Sequence, residues 1–223
     1  MVKVERFSDE YLEKLRSLVS GYVDEKRFSH TLFVEKKASE IASLFLPQKI
    51  GKIRAAAILH DLTKSFSPDE HFAICHKYGY NINDSIPTLV LHSVTAPLVI
   101  SNEIALQYPD LRDPEILNAI RWHSTGHAGM SLFEIIIYLA DFIEDSRSYN
   151  ECSDLRRYYH DGLTEDMTIN FLHLYQTMVI SFGYTIKRLI DAKRVIDLNT
   201  VEALNYFLKL MNESGKGLDN NEI

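Results

Sequence analysis

Along most of this chain the apolar residues recur at intervals of three and four, and alternating apolar and polar stretches bounded by turn residues are scarce. That periodicity predicts helices throughout and an all-α fold. With 223 residues, 46% of them hydrophobic and 25% charged, the chain can bury a substantial core. It carries no internal repeat and no convincing linker. The expected architecture is therefore one helical bundle with additional C-terminal helices packed on it.

Ser8 ahead of Asp9 and Glu10 marks a first helix start, with Tyr11, Leu15, Leu18 and Tyr22 along one face. A second helix is expected over residues 28–46, stopped by Pro47, whose ring disfavours helical geometry before it. A third, over residues 49–64, carries Ile53, Ala56, Ala57 and Leu59 into the pair His60-Asp61. Ser67-Pro68-Asp69-Glu70 reads as an N-cap with proline at the first helical position, opening a helix that ends near Gly79. Residues 80–87 read as a polar loop. Helical periodicity then resumes around His92 and runs to residue 108, with Pro97 as a point of kinking or division. Asp113-Pro114-Glu115 starts a short helix holding Ile116, Ile120 and Trp122, and Ser131 with Glu134 matches a capping box opening the helix that leads to Asp141. At least two more helices are expected after residue 151, near residues 164–193 and from about 199. The organisation reads as an N-terminal helix within residues 1–25, a core over 26–150, C-terminal helices over 151–212 and a frayed tail over 213–223.

The 24 Lys and Arg against 31 Asp and Glu give a net charge of −7, without a block of like charge long enough to tether a nucleic acid or a membrane. Neither a nucleic-acid polymer nor a membrane is an expected partner. A small anion is still open as a ligand, since a few cations converging on a cleft reverse the local field. Met1-Val2-Lys3-Val4-Glu5-Arg6 carries charge where a secretory leader is apolar, and no run approaches the roughly 20 apolar residues of a membrane span, so a cytoplasmic location is expected. Cys75 and Cys152 lack any CxxC spacing and read as buried or incidental thiols.

Chemistry enters with the histidines and aspartates. Successive helical residues differ by about 100° in direction, so His60 and Asp61 reach one metal cluster only if it sits over their shared edge, a geometry that suits a bridging carboxylate. His30, His92 and His123 are each embedded among apolar or small residues, and Asp141 interrupts the apolar run Ile135-Ile136-Ile137-Tyr138-Leu139-Ala140-Asp141-Phe142-Ile143. A carboxylate there needs a partner, because an unpaired buried charge is costly. Taken singly, each of these residues reads more readily as a hydrogen-bonded core histidine or as a capping or ion-paired aspartate than as a metal ligand. Taken together, the ordered set His30, His60-Asp61, His92, His123 and Asp141 resembles the H…HD…H…H…D pattern of the HD-domain phosphohydrolases.

More narrowly, the chain resembles the YqeK family, the HD-domain symmetrical hydrolases of diadenosine tetraphosphate. The likeness runs from Arg27-Phe28-Ser29-His30-Thr31 through Leu59-His60-Asp61-Leu62-Thr63-Lys64 and Leu91-His92 to the stretch from Ile116 to Gly126. It continues through Gly129-Met130-Ser131-Leu132, Leu139-Ala140-Asp141-Phe142-Ile143-Glu144 and Arg147, and resumes at Asp197-Leu198-Asn199-Thr200-Val201-Glu202-Ala203. One departure is His127, where the family often has arginine after the Thr-Gly pair. The resemblance implies an HD-domain bundle with a phosphohydrolase core over residues 26–150, iron in a two-metal centre, and two ADP as products. In that centre Asp61 bridges, His30, His60 and Asp141 complete one metal, and His92 and His123 serve the other. Nitrogen and oxygen donors without thiolate also suit manganese or zinc. Paired cations acidify a shared water and polarise phosphoryl oxygens, which makes a metal-bound hydroxide the expected nucleophile.

Lys64, three residues after Asp61 and four after His60, shares their helical face on this reading and overlooks the metals as a catalytic cation beside Asp61. Arg27, three residues before His30, and Arg147, six past Asp141, are candidate phosphate contacts; for all three the alternative is a solvated charge or surface ion pair. The family likeness adds His30, His92, His123, Ser124 and Asp141 to the substrate contacts, and more loosely Thr185 and Arg188 on a late helix. His71, His76, His160 and His173 lack the required pattern and read as structural, while His127 stays open as a phosphate or outer contact. The expected partners are a small dinucleotide substrate and, as a candidate, a second copy of the chain. Other readings are an HD enzyme acting on nucleoside monophosphates or signalling nucleotides, a di-iron oxygenase, and a non-catalytic nucleotide or metal sensor.

Overall fold

The computed structural model describes residues 6–82 and 86–219, with side chains through residue 213. Among these residues there are ten α-helices and no strand, in agreement with the all-α reading. They fall into two units. The first comprises residues up to 124 together with 131–146, and the second comprises residues 125–130 and everything from Arg147 onward.

In the first unit, α1 (Asp9–Ser20) starts where Ser8 caps the Tyr11 amide, and its Leu12, Leu15 and Val19 are fully buried. α2 (Glu25–Phe45) opens at Asp24, whose carboxylate accepts from the Arg27 amide, three residues earlier than the periodicity suggests. Arg27 therefore lies in helix. α3 (Ile50–Leu59) packs against α1, α2, α6 (Pro114–Trp122) and α7 (Leu132–Ile143). It is the central helix of this unit, and Ile53 and Ala55 to Leu59 are completely buried. Ion pairs tie its outer side in place: Glu35 on α2 accepts from Arg16 on α1 at 2.6 and 2.8 Å and from Arg54 on α3 at 2.8 Å.

The expected third helix over 49–64 is interrupted. α3 ends at Leu59, and residues 60–65 continue as tight turns, with Leu62 N–H donating to Leu59 O and Lys64 N–H to Asp61 O. α4 (Pro68–Lys77) carries a complete capping box between Ser67 and Glu70 and is closed by Gly79 at φ 67°, a left-handed position that favours glycine. It packs on α5 (Leu91–Asn102), which runs through Pro97 without dividing but stops short of the expected residue 108, with separate 3-10 turns following at Ile104–Leu106 and Pro109–Arg112. Against the expectation that no run approaches a membrane span, the stretch Thr88–Leu106 is long and apolar enough to cross one by length and composition, with 56% of its apolar window buried inside the protein. α7 starts at the capping box of Ser131 and Glu134, as the sequence predicts.

The second unit holds α8 (Asn150–Asp161), α9 (Met167–Asp191) and α10 (Leu198–Asp219). α8 goes beyond the two helices placed by sequence. It is strongly polar and buries only Cys152, Leu155 and Tyr159 along one edge, which leaves little apolar signal. α8 and α10 both pack on α9, where Phe182 and Phe207 stack at 5.9 Å. Gly126 also belongs to this unit. At φ 63°, and with a Cβ that would stand 2.6 Å from the Phe182 ring, no other residue fits there without displacement. α10 is helical into the segment expected to fray, and residues 220–223 lie outside the described residues.

Candidate metal centre

His60 and His123 are held by the same local device. Each is the residue immediately after a helix, α3 for His60 and α6 for His123. The last carbonyls of a helix have no amide partner within it, and both imidazoles turn back to supply one. His60 Nδ1–H donates to Ala57 O and His123 Nδ1–H to Ile120 O, each at 2.7 Å. A carbonyl can only accept, so the proton must sit on Nδ1 in both rings. The Nε2 lone pairs are then free to point the other way, into the first unit's interior.

His30 reaches the same place from α2. Its Nδ1 donates to Glu144 at 3.1 Å, and its Nε2 lies 3.0 Å from Asp141 Oδ1. His92, in the first turn of α5, places Nε2 3.2 Å from His123 Nε2. Asp61 stands among all four rings. Its Oδ2 is 3.5 Å from His60 Nε2 and 4.0 Å from His30 Nε2, and its Oδ1 is 3.3 Å from His92 Nε2 and 3.4 Å from His123 Nε2. Asp141 Oδ1 is also 3.9 Å from His60 Nε2. All six residues predicted as ligands thus converge, although they come from five separate stretches of chain.

The protonation states suit metal binding. Burial pushes His60 down to about 4, and burial reinforced by the Lys64 ammonium pushes His92 well below the ordinary imidazole value, so both rings are neutral donors at pH 7. For Asp61, burial works to raise the pKa, but His60, Lys64, His123 and His92 together hold it well below the usual carboxylate range. Asp61 Oδ1 and His60 Nε2 are buried without a hydrogen-bond partner. Buried polar atoms are rarely left so, and lone pairs facing one another need a cation between them. Three groups of donors, His30-His60-Asp61, His60-His123-Asp141 and Asp61-His92-His123, each bring their ligating atoms within 4.8 Å of one another. The residues present therefore fit divalent metal, with Asp61 offering one oxygen to each side.

Two cations stand at the rim. Arg27 Nη1 donates to Asp61 Oδ2 at 2.9 Å, and Lys64 Nζ lies 3.0 Å from His92 Nε2 and 3.9 Å from Asp61 Oδ1. Both side chains are about one-third exposed, at 33% and 32%. Lys64 gets there from a turn, not from the continuous helix the sequence suggests. Ser124 Oγ is 3.0 Å from both His92 Nε2 and His123 Nε2.

The remaining predicted contacts belong to the second unit: Arg147 is partly buried at its start, and on α9 Thr185 is buried and Arg188 exposed. His71 is buried away from the cluster and bonds Thr95 Oγ1 at 2.8 Å, His76 and His160 are exposed, and His173 donates to backbone carbonyls of Tyr158 and Tyr159. His127 closes on the neighbouring Ala128 carbonyl. Sequence reasoning did not assign roles to Glu144, or to Thr63, which donates to the His92 carbonyl at 3.1 Å and bonds Thr95 at 2.8 Å. Glu144 carried a usable signal, standing one turn after Asp141 at the end of an apolar helix.

The HD domain family matches residues 27–144, which takes in all six converging residues. A protein of Staphylococcus aureus (strain NCTC 8325 / PS 47) named symmetrical bis(5'-nucleosyl)-tetraphosphatase is 28% identical, over 88% of this chain and 94% of its own length. One of the same name from Bacillus subtilis (strain 168) is 31% identical, over 69% of this chain and 80% of its own. The crystal structure of a predicted HD superfamily hydrolase involved in NAD metabolism from Clostridium acetobutylicum superposes with a TM-score of 0.76 at 31% identity, covering 88% of this chain and 96% of that one.

Proposed function

This chain belongs to the HD-domain family of symmetrical bis(5'-nucleosyl)-tetraphosphatases, and from that premise we propose that it hydrolyses diadenosine tetraphosphate to two molecules of ADP. The observation that carries the reading is the division of labour at Asp61, whose two oxygens face two sets of imidazoles. His30, His60 and Asp141 would hold one metal with Asp61, and His92 and His123 the other, with iron as the expected metal and manganese or zinc as substitutes. Bound there, a pair of divalent cations supplies an acidified water and polarises the phosphoryl group under attack.

The protein's own groups do the rest. Water oxygen bonds to one of the two phosphorus atoms flanking the central bridging oxygen, the bond from that phosphorus to the bridge breaks, and the departing ADP keeps the bridging oxygen. Lys64 and Arg27, both at the rim and partly exposed, are placed to neutralise the charge that grows on the phosphates. Ser124 Oγ is available as a donor to a phosphate oxygen beside His92 and His123. Arg147, Thr185 and Arg188 stay as proposed contacts to the nucleotide. The same reading makes a small dinucleotide the partner, without a nucleic-acid polymer or membrane, places the enzyme in the cytoplasm, and admits a homodimer.

Hydrolysis in ¹⁸O-labelled water tests this directly. ADP is expected as the sole nucleotide product, with label in the terminal phosphate of one of the two molecules. ATP with AMP would mean a different cleaved bond. Turnover of mononucleotides but not of the dinucleotide would point to another HD phosphohydrolase, and metal uptake with no turnover of either to a sensor.

A further inference from the structure

Three of the converging histidines have Nδ1 fixed by an acceptor, but the acceptors differ: backbone carbonyls for His60 and His123, a carboxylate for His30. We propose that Glu144 is a positioning residue for the metal centre, locking His30 with its proton on Nδ1 so that Nε2 is presented as a donor beside Asp61 and Asp141. This rests on reading the cluster as a metal centre.

The Glu144 side chain is completely buried. It follows directly on α7, three residues after Asp141, so one helix end delivers a ligand to the cluster and a carboxylate behind His30. The carboxylate is itself oriented. Ser146 N–H donates to Oε2 at 2.5 Å and Ser146 Oγ donates to Oε1 at 2.7 Å. An ionised carboxylate has no proton to give, so the 3.1 Å contact fixes the donor as His30 Nδ1–H. A neutral carbonyl would suffice to hold the ring, as it does at His60 and His123. Burying a full charge there is costly, and what it adds is a more basic imidazole and more negative potential at the metal.

The full chain, stripped of metal, would be titrated with manganese(II) for wild type, Glu144→Gln, Glu144→Ala and Ser146→Ala, with the His30 tautomer read by ¹⁵N NMR of the metal-free proteins. In wild type His30 is expected as the Nδ1–H form. Glu144→Ala should bind manganese about 10- to 100-fold more weakly and lose that tautomer preference. Glu144→Gln, whose amide oxygen can still accept from Nδ1, should keep the tautomer but bind more weakly than wild type, and Ser146→Ala should show the smallest loss. Wild-type manganese affinity and an unchanged tautomer in Glu144→Ala would overturn the proposal. If the alanine variant does not fold, a wild-type His30 found with its proton on Nε2 in the metal-free protein does so. If the wild-type protein takes up no manganese, the metal-centre reading falls, while the tautomer comparison still decides whether Glu144 orients His30.

Discussion

The two oxygens of Asp61 look out on unlike surroundings. Oδ2 faces His60 and His30, with Asp141 3.0 Å from His30 and Glu144 behind the ring. Oδ1 faces His92 and His123, with the Lys64 ammonium 3.0 Å from His92 and Ser124 alongside. One half of the cluster is rich in carboxylate, with the Arg27 guanidinium on Oδ2 itself at 2.9 Å; the other is imidazole with the Lys64 ammonium next to it. A divalent ion bound as proposed would meet two carboxylates against one guanidinium on the first side, whereas on the second it would share one carboxylate and face the lysine. With one carboxylate fewer, the lysine-bearing half repels an arriving phosphate less.

The largest effect should come from removing what the halves share. Asp61→Ala is expected to abolish hydrolysis and metal retention together, checked by activity assay and elemental analysis. Next comes Lys64→Ala, which should keep its metal and lose roughly 10²–10³ in kcat for diadenosine tetraphosphate, as for loss of one electrostatic stabiliser. Lys64→Arg should recover part of that, since a planar fork and a point ammonium meet phosphate differently. Normal turnover by Lys64→Ala would make the lysine a surface charge. The comparison itself is sharpened by His60→Ala against His92→Ala. Chelator competition should show the tighter site weakened by one to two orders of magnitude in the first and left close to wild type in the second. The smallest effect is expected at His71, where alanine should leave metal content unchanged and cost about 1 kcal/mol of stability through the lost Thr95 bond, read from denaturant melts.

Much of this centre was legible in the sequence. The six converging residues are spelled out by type and order, and the capping boxes and proline signals placed the helices around them within a few residues. What the sequence hid was carried by backbone. Nothing in the residue types of Ala57 or Ile120 says that their carbonyls fix the tautomers of His60 and His123, because any residue would offer the same atom. The end of α3 at Leu59 was hidden for a related reason. No glycine or proline marks it, and His60 itself takes the Ala57 carbonyl with its side chain, an acceptor the next turn of helix would have used. α8 escaped because a helix burying one narrow edge is nearly indistinguishable from polar loop in periodicity.

The central claim is that one carboxylate joins two metal-binding halves, and the most direct measurement is the number of metal ions per chain in wild type and in Asp61→Asn, which keeps the shape and removes the charge. After loading with manganese(II) and removal of excess, wild type should retain about two ions per chain and Asp61→Asn at most one, since the amide keeps a single oxygen donor. An Asp61→Asn protein that still folds and keeps both ions would contradict the account, because the two halves would then not depend on a shared carboxylate.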